Sequence, residues 1–427
     1  YAYFDTVINE YLINEGGLLM NNLRRWEIDA SGVYVPHLAA DVRRSRTDYL
    51  DDQSWSLSLG GLDMPALALE TRYGGRLARA SIVPMWGLDG HVVHLTQTYA
   101  TPPVITHIAP GFVRTEARIT LDVSLQADVI VFESGAIGSR YTVTNTGQHP
   151  AEIRLDLFAH VASERRKMPL AILTLVDEIN ALSMGRIPGL EPVLMLEKAN
   201  ADLLADSPKI GTSLSIPAGE SVAVRWVHAG LPRMGDSLDR ARFWLEQDWE
   251  AIYTQIDALA AAIPQIETGD DDLDAAIAVS YQQSVQAFIG PSGHLPNTSF
   301  VGKRQPAFGF SIRGDGSDYG RGWNGQDPFT AYLLATAIAT IDPKLAQGIV
   351  YNYLAIQTDD GAIDAGPGLG GQRAGMLSLP LLARLTGAIY QQTGDKLFVE
   401  EVYAGLLAFF NRWFEQDFDK DLDAIPE

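Results

Sequence analysis

The hydrophobic period of the chain changes once, near residue 237, from two to 3.6. A chain with that change can fold only as strands followed by helices. Residues 119–125, Ile-Thr-Leu-Asp-Val-Ser-Leu, alternate apolar and polar, as a half-buried strand does. Residues 140–144 alternate into Asn145-Thr146-Gly147, a turn signal, and residues 151–158 alternate again. Residues 213–216 and 221–226 read as another pair of strands around the turn Pro217-Ala218-Gly219-Glu220. Short strands with turns every ten or so residues indicate a large antiparallel sandwich. The stretch 156–200 is less regular and yields no strand assignment.

Beyond the change of period, Ser237 is placed as an N-cap, and Leu238, Ala241, Leu245, Trp249, Ile252 and Ile256 recur at helical spacing up to Pro264. This helix reads as a connector. A second helix is expected over 273–289. Asp327-Pro328 and Asp342-Pro343 each combine a capping carboxylate with proline at the first helical position. Helices are expected over 328–340, 343–356, 378–392 and 396–414. The expected architecture is multidomain, β then α. It comprises an antiparallel β-sandwich over 1–233, a helical linker over 234–266, and helices with long loops over 267–427.

No apolar run approaches the roughly 18 residues that cross a bilayer. The 32 basic and 53 acidic side chains leave a net charge of −21. So negative a surface repels nucleic acid and anionic lipid, and neutral or cationic small molecules are compatible with it. Without cysteine there are no disulfides, thiolate metal sites or thiol nucleophiles. No cofactor is implied. A cytoplasmic location is the expectation, although the first residue is Tyr1 and a cleaved leader is compatible with that start. Nothing points to an oligomeric state.

The chemistry concentrates in loops, where long insertions in a compact helical unit are usually functional. Residues 313–327 bring Arg313, Asp315, Trp323, Asn324, Gln326 and Asp327 into one glycine-permitted stretch. Sugar sites need this mixture, since an aromatic face stacks on the ring and polar groups bond its hydroxyls. Residues 357–364, with Asp360 and Asp364, form a second such loop, and residues 417–427, ending in Glu427, a third. Each feature also has a plainer reading. Asp327 caps a helix whatever else it does, as Asp342 does. Trp323 either presents a platform, the preferred reading, or anchors its loop in the core. Arg313 and Asp315 either bond hydroxyls or pair with each other. Asp360-Gly361 is also an ordinary turn. The alternating Asp417, Asp419, Asp421 and Asp423 suggest calcium but lack the central glycine of the usual loop, which favours a solvated turn or a substrate loop. His294 reads as a loop residue.

The order of residues 323–329, then 341–346, then Gln357 with Asp360-Gly361-Ala362-Ile363 resembles the first barrel helices of glycoside hydrolase family 63 and its relatives. The resemblance covers roughly residues 265–427. It implies inverting exo-glycosidases with an (α/α)6 catalytic barrel, some preceded by a super-β-sandwich. The chain would then hold the first part of that toroid, and its substrate would be a glucoside or a related small glycoside or oligosaccharide. Asp327 occupies the place of the family's general acid, with Pro328 between it and the aromatic Phe329. No residue matches the family's general base, which is expected beyond residue 427. A disaccharide phosphorylase of the cellobiose type and a non-catalytic carbohydrate-binding protein are the competing expectations. Phosphate dependence separates the first, and the lack of a carboxylate opposite Asp327 would favour the second.

Overall fold

The computed structural model describes residues 22–30, 36–61, 64–162, 170–174, 180–202, 209–320, 323, 325–421 and 423. Two eight-stranded antiparallel sheets come first. One runs in the order His37–Leu38, Trp55–Ser58, Ala68–Thr71, Arg79–Leu88, Ala151–Ala162, Lys209–Ile216, Asn200–Asp202, with His91–Val93 added beside Arg79–Leu88. The other runs Ala171–Thr174, Asn180–Ser183, Val193–Leu196, Ser221–Ala229, Ala136–Asn145, Val123–Glu133, Phe112–Thr120, Thr101–Ala109. Their facing sides share one core, in which Trp55, Trp86 and Trp226 are fully buried. Among the described residues no α-helix precedes residue 234, and no helix is long and apolar enough to cross a membrane.

Three sequence expectations change here. Residues 119–125 are a hairpin and not one strand. Leu121 and Asp122 are the exposed turn between Phe112–Thr120 and Val123–Glu133, and the alternation continues across it because Ile119, Val123 and Leu125 all point inward. Residues 213–216 and 221–226 belong to different sheets. Lys209–Ile216 pairs with Ala151–Ala162, and Ser221–Ala229 pairs with Ala136–Asn145, so their turn crosses the core. The irregular stretch supplies three short strands of the second sheet, Ala171–Thr174, Asn180–Ser183 and Val193–Leu196, and the edge strand Asn200–Asp202 of the first.

The connector is two helices, α1 (Met234–Glu246) and α2 (Trp249–Ala260). The chain leaves helical geometry at Gln247, and Asp248 caps α2 by accepting from the amides of Glu250 and Ala251. The cap of α1 is Arg233. Ser237 lies buried one turn inside, where its hydroxyl accepts from the Leu231 amide at 2.9 Å. Both helices cover the outer face of the second sheet. Trp249 and Tyr253 pack with Phe112 and Phe132, so Val123–Glu133 alternates in its first half and is buried on both faces in its second.

Helix α3 (Asp271–Gln286) joins the layers. Gln286 accepts from the Ala39 and Gly111 amides at 3.0 Å each, and Gln282 donates to the Ala109 carbonyl. Buried Arg304 holds Asp52 bidentately at 2.7 Å and donates to the carbonyls of Ala40, Gln286 and Phe288. After α3 come α4 (Pro328–Ile338), α5 (Pro343–Ala355), α6 (Leu381–Thr393) and α7 (Lys396–Arg412). Asp342 is a cap alone, accepting from Lys344. Gln326, before α4, bonds residues late in α5, whereas Gln347, early in α5, bonds Asp395 before α7. Gly394, left-handed at φ 68°, turns α6 straight into α7. Successive helices are therefore antiparallel. The start of α4, the end of α5, the start of α6 and the end of α7 lie at one end of this layer.

Candidate functional site

At that end the polar loops meet. Residues 311–320 are folded around Ser311 and Asp318. The Ser311 hydroxyl donates to Asp318 at 2.5 Å and accepts from the Gly314 and Gly316 amides, and Asp318 also accepts from Ile312. The Ser311 hydroxyl bond holds the Asp318 carboxyl below its ordinary range. Gln372 donates to the Gly316 carbonyl, Gln326 donates its amide to Pro367, and Gly325 bridges Gly368. Gly325 requires its φ of 134°, because a Cβ there would lie 2.4 Å from the Pro367 carbonyl oxygen. Arg412, at the end of α7, binds Asp360 at 3.3 Å and Asp417 at 3.1 Å. Loops 313–327 and 357–377 and the segment beginning at 412 thus share one end of the helical layer, as antiparallel helices dictate.

The candidate side chains play unequal parts there. Asp360 accepts from the Thr358 hydroxyl and the Ala362 amide as well as from Arg412, and the Thr358 bond leads in lowering its pKa. Asp364 accepts three backbone amides, from Gly366, Ala374 and Gly375, at 2.7–2.8 Å. Both carboxylates take part in shaping loops. Arg313 and Asp315 are exposed and do not pair with each other. Each bonds Ser317, and the Ser317 amide lowers the Asp315 pKa.

Trp323 is 2% exposed, among Tyr49, Ile289, Leu295, Val301 and Leu369. Its indole therefore has no open face, and it anchors the loop where a platform was expected. Tyr49, from the strand-rich part of the chain, accounts for this. Its ring stands edge-on to Tyr319, and its carbonyl accepts the Tyr319 hydroxyl at 2.8 Å. Gln326 is likewise buried, not open to a substrate. Its side-chain oxygen accepts from Ser299 and Asn352, and its Nε2 donates to the Ile349 carbonyl, all inside the protein. His294 is an exposed loop residue whose ring lies against Gly371. The carboxylates of Asp419, Asp421 and Asp423 do come within 4.8 Å of one another, two of them exposed. Asn324 and Glu427, also expected at the site, lie outside the described residues.

Asp327 remains open. It is the N-cap of α4, exposed, with one carboxylate oxygen accepting the Thr330 amide at 2.9 Å. The next turn presents Phe329 (60% exposed) and Leu333 (55%) to solvent. Near it lies a residue that the sequence does not single out. Tyr353 is completely buried, its hydroxyl has no partner, and the carboxylates of Asp327 and Asp364 are near enough to act on it. Burial first, and those two carboxylates next, raise its pKa and keep it protonated. No periodic signal separates such a tyrosine from an ordinary core aromatic.

No protein-family model matches the chain, and no curated protein matches its sequence. Solved structures similar to it include a candidate kojibiose phosphorylase from the human microbiome, with TM-score 0.46 and 8% identity over 92% of this chain and 62% of that one. A bacterial glucoamylase complexed with acarbose gives TM-score 0.47 and 10% identity over 92% and 61%. A family 92 α-mannosidase from Bacteroides thetaiotaomicron, in complex with mannoimidazole, gives TM-score 0.33 and 10% identity over 91% and 53%. The chain spans less than two thirds of the length of each.

Proposed function

We propose that the chain belongs to an inverting exo-glycosidase acting on a neutral oligosaccharide or small glycoside, with Asp327 as general acid. In this reading residues 1–233 are a sandwich, 234–266 a linker, and 267–427 the first part of an (α/α)6 barrel. One observation carries it. At the end where the polar loops converge, Asp360 and Asp364 are tied on both oxygens, while Asp327 spends one oxygen on its cap and keeps the other for a ligand. Phe329, two residues on, is exposed and offers an aromatic ring to a sugar.

Inversion needs a carboxylic acid that protonates the leaving oxygen and a carboxylate that activates water across the ring, about 6.5–9.5 Å away. Asp327 is assigned the acid role alone. The test is turnover of a glycoside panel by wild type and Asp327→Asn, with and without inorganic phosphate. Hydrolysis that needs no phosphate and collapses in the variant supports the reading. Phosphate-dependent cleavage would make the enzyme a phosphorylase, and undiminished turnover in the variant would remove Asp327.

A further inference from the structure

A second polar cleft lies where the strand-rich part meets α1. It holds about 230 Å³, room for roughly seven waters at liquid density. Its walls are the segment around Arg46, Asp48 and Gln53, the turn at Glu133, the backbone at Gly230, and Arg240 of α1. None of these residues belongs to the loops that gather around Asp327.

Counting partners shows what the cleft lacks. Gln53 is 1% exposed, and its Nε2 donates to the Gly230 carbonyl at 2.7 Å, yet its Oε1 is buried with no partner. A buried acceptor is costly unless something fills it. The Asp48 carboxylate gives one oxygen to the Leu50 amide. Arg46 is exposed at the mouth, and no ion pair or side-chain hydrogen bond engages its guanidinium among the described residues. Ser134 is satisfied on both sides, by Asp52 and by the Asp48 amide. The Arg46 guanidinium and one Asp48 oxygen are thus left open, and the Gln53 Oε1 is left without a partner.

The charges nearly cancel. Arg240 binds Glu133 at 3.2 Å and Arg76 holds Asp51 at 2.8 Å, while Arg46 and Asp48 line the same cleft with opposite charges. A cleft that is balanced does not select an anion. Nor does it suit a metal, because among the described residues only Asp419, Asp421 and Asp423 bring three ligand atoms within 4.8 Å. What matches open donors and acceptors side by side is a group that both gives and takes hydrogen bonds, such as a pair of neighbouring hydroxyls. Leu231 and Pro232, on the same wall, offer an apolar surface for C–H groups.

We propose that this cleft is a second saccharide site, which binds a single neutral pyranose unit or cyclic polyol through Gln53, Arg46 and Asp48. The size of the cleft limits the ligand to one ring, either a free sugar or the end of a chain. It does not depend on the role given to Asp327.

Saturation-transfer NMR with D-glucose, maltotriose and myo-inositol tests this on wild type, Asp327→Asn, and the double variant Arg46→Ala/Asp48→Ala. The two substituted surface positions are exposed, and circular dichroism verifies folding. The expected result is binding by wild type and Asp327→Asn alike, weakened about tenfold in the double variant, as loss of charged hydrogen bonds implies. Equal response to glucose and maltotriose identifies a single ring as the ligand. Hydrogen exchange of wild type with 50 mM glucose, a concentration on the order of weak single-sugar binding, adds a readout independent of the variants. Protection should appear in peptides spanning 46–53 and 230–233. No binding by any of the three probes, or binding lost in Asp327→Asn and kept in the double variant, overturns the proposal. Failure of Asp327 in catalysis would show only in turnover and would leave this result standing.

Discussion

Asp327 differs from the other carboxylates at its end of the helical layer in what its oxygens already hold. One bond to Thr330 caps α4, and asparagine accepts the same bond nearly as well. Asp327→Asn should therefore leave the melting temperature almost unchanged, while turnover of an unactivated glycoside falls by about 10²–10⁴-fold. A glycoside with a good leaving group needs less protonation and should lose less. Comparing the two substrates separates an acid from a cap, since a damaged cap lowers stability and slows both alike. Tyr353 shows the limit of reading residues singly. Its buried, unpartnered hydroxyl beside Asp327 is invisible in a sequence where it looks like any helix-core aromatic.

At the level of elements, the start of α4 is positioned by a buried amide pair. Asn352 of α5 donates to Gln326 at 3.2 Å and to the carbonyls of Asn297 and Thr298. Asn352→Ala takes this donor from the Asn297 and Thr298 carbonyls, and should cost about 1–3 kcal/mol by denaturant unfolding. The loop after α5 depends on Asp364 in the same way. With Asp364→Ala, the amides of Gly366, Ala374 and Gly375 lose their acceptor. Hydrogen exchange should then quicken in a peptide covering 365–376, with α7 unaffected. Helices α3 to α7 were legible to within a few residues, whereas the connector, read as one helix, is two. Proline at N1, aspartate caps and Gly394 are local signals, and they act in the folded chain as they do in isolation.

For the whole molecule, the joint between sheets and helices is held by charge buried in pairs. Arg304→Ala would leave Asp52 uncompensated in the interior and should destabilise by about 3–5 kcal/mol in chemical unfolding. Acid should weaken the protein through its histidines. His228 is completely buried, with the Tyr73 hydroxyl 2.9 Å from Nε2, and burial lowers its pKa to about 3. His107 is lowered to about 4, mainly by burial and then by Arg114. The unfolded chain titrates near 6.5 and takes up these protons first. Their contribution is full above that pH and is lost as pH falls from about 6.5 towards 3. The denaturant midpoint should drop across this window, and His228→Leu should flatten the slope.

Strand and helix content, their order, and the caps of α4 and α5 were determined by the sequence itself, because period and capping depend on neighbours three or four residues apart. Which side chains face a ligand was decided by contacts far along the chain. Trp323 and Tyr319 turn inward to meet Tyr49, more than 260 residues earlier. Gln326 is consumed by α5, and the turn at 217–220 joins two sheets because Ala151–Ala162 and Ala136–Asn145 claim its flanking strands. Composition marks a loop as rich in sugar-binding groups. Burial and hydrogen bonding by distant segments then decide which of those groups remain free.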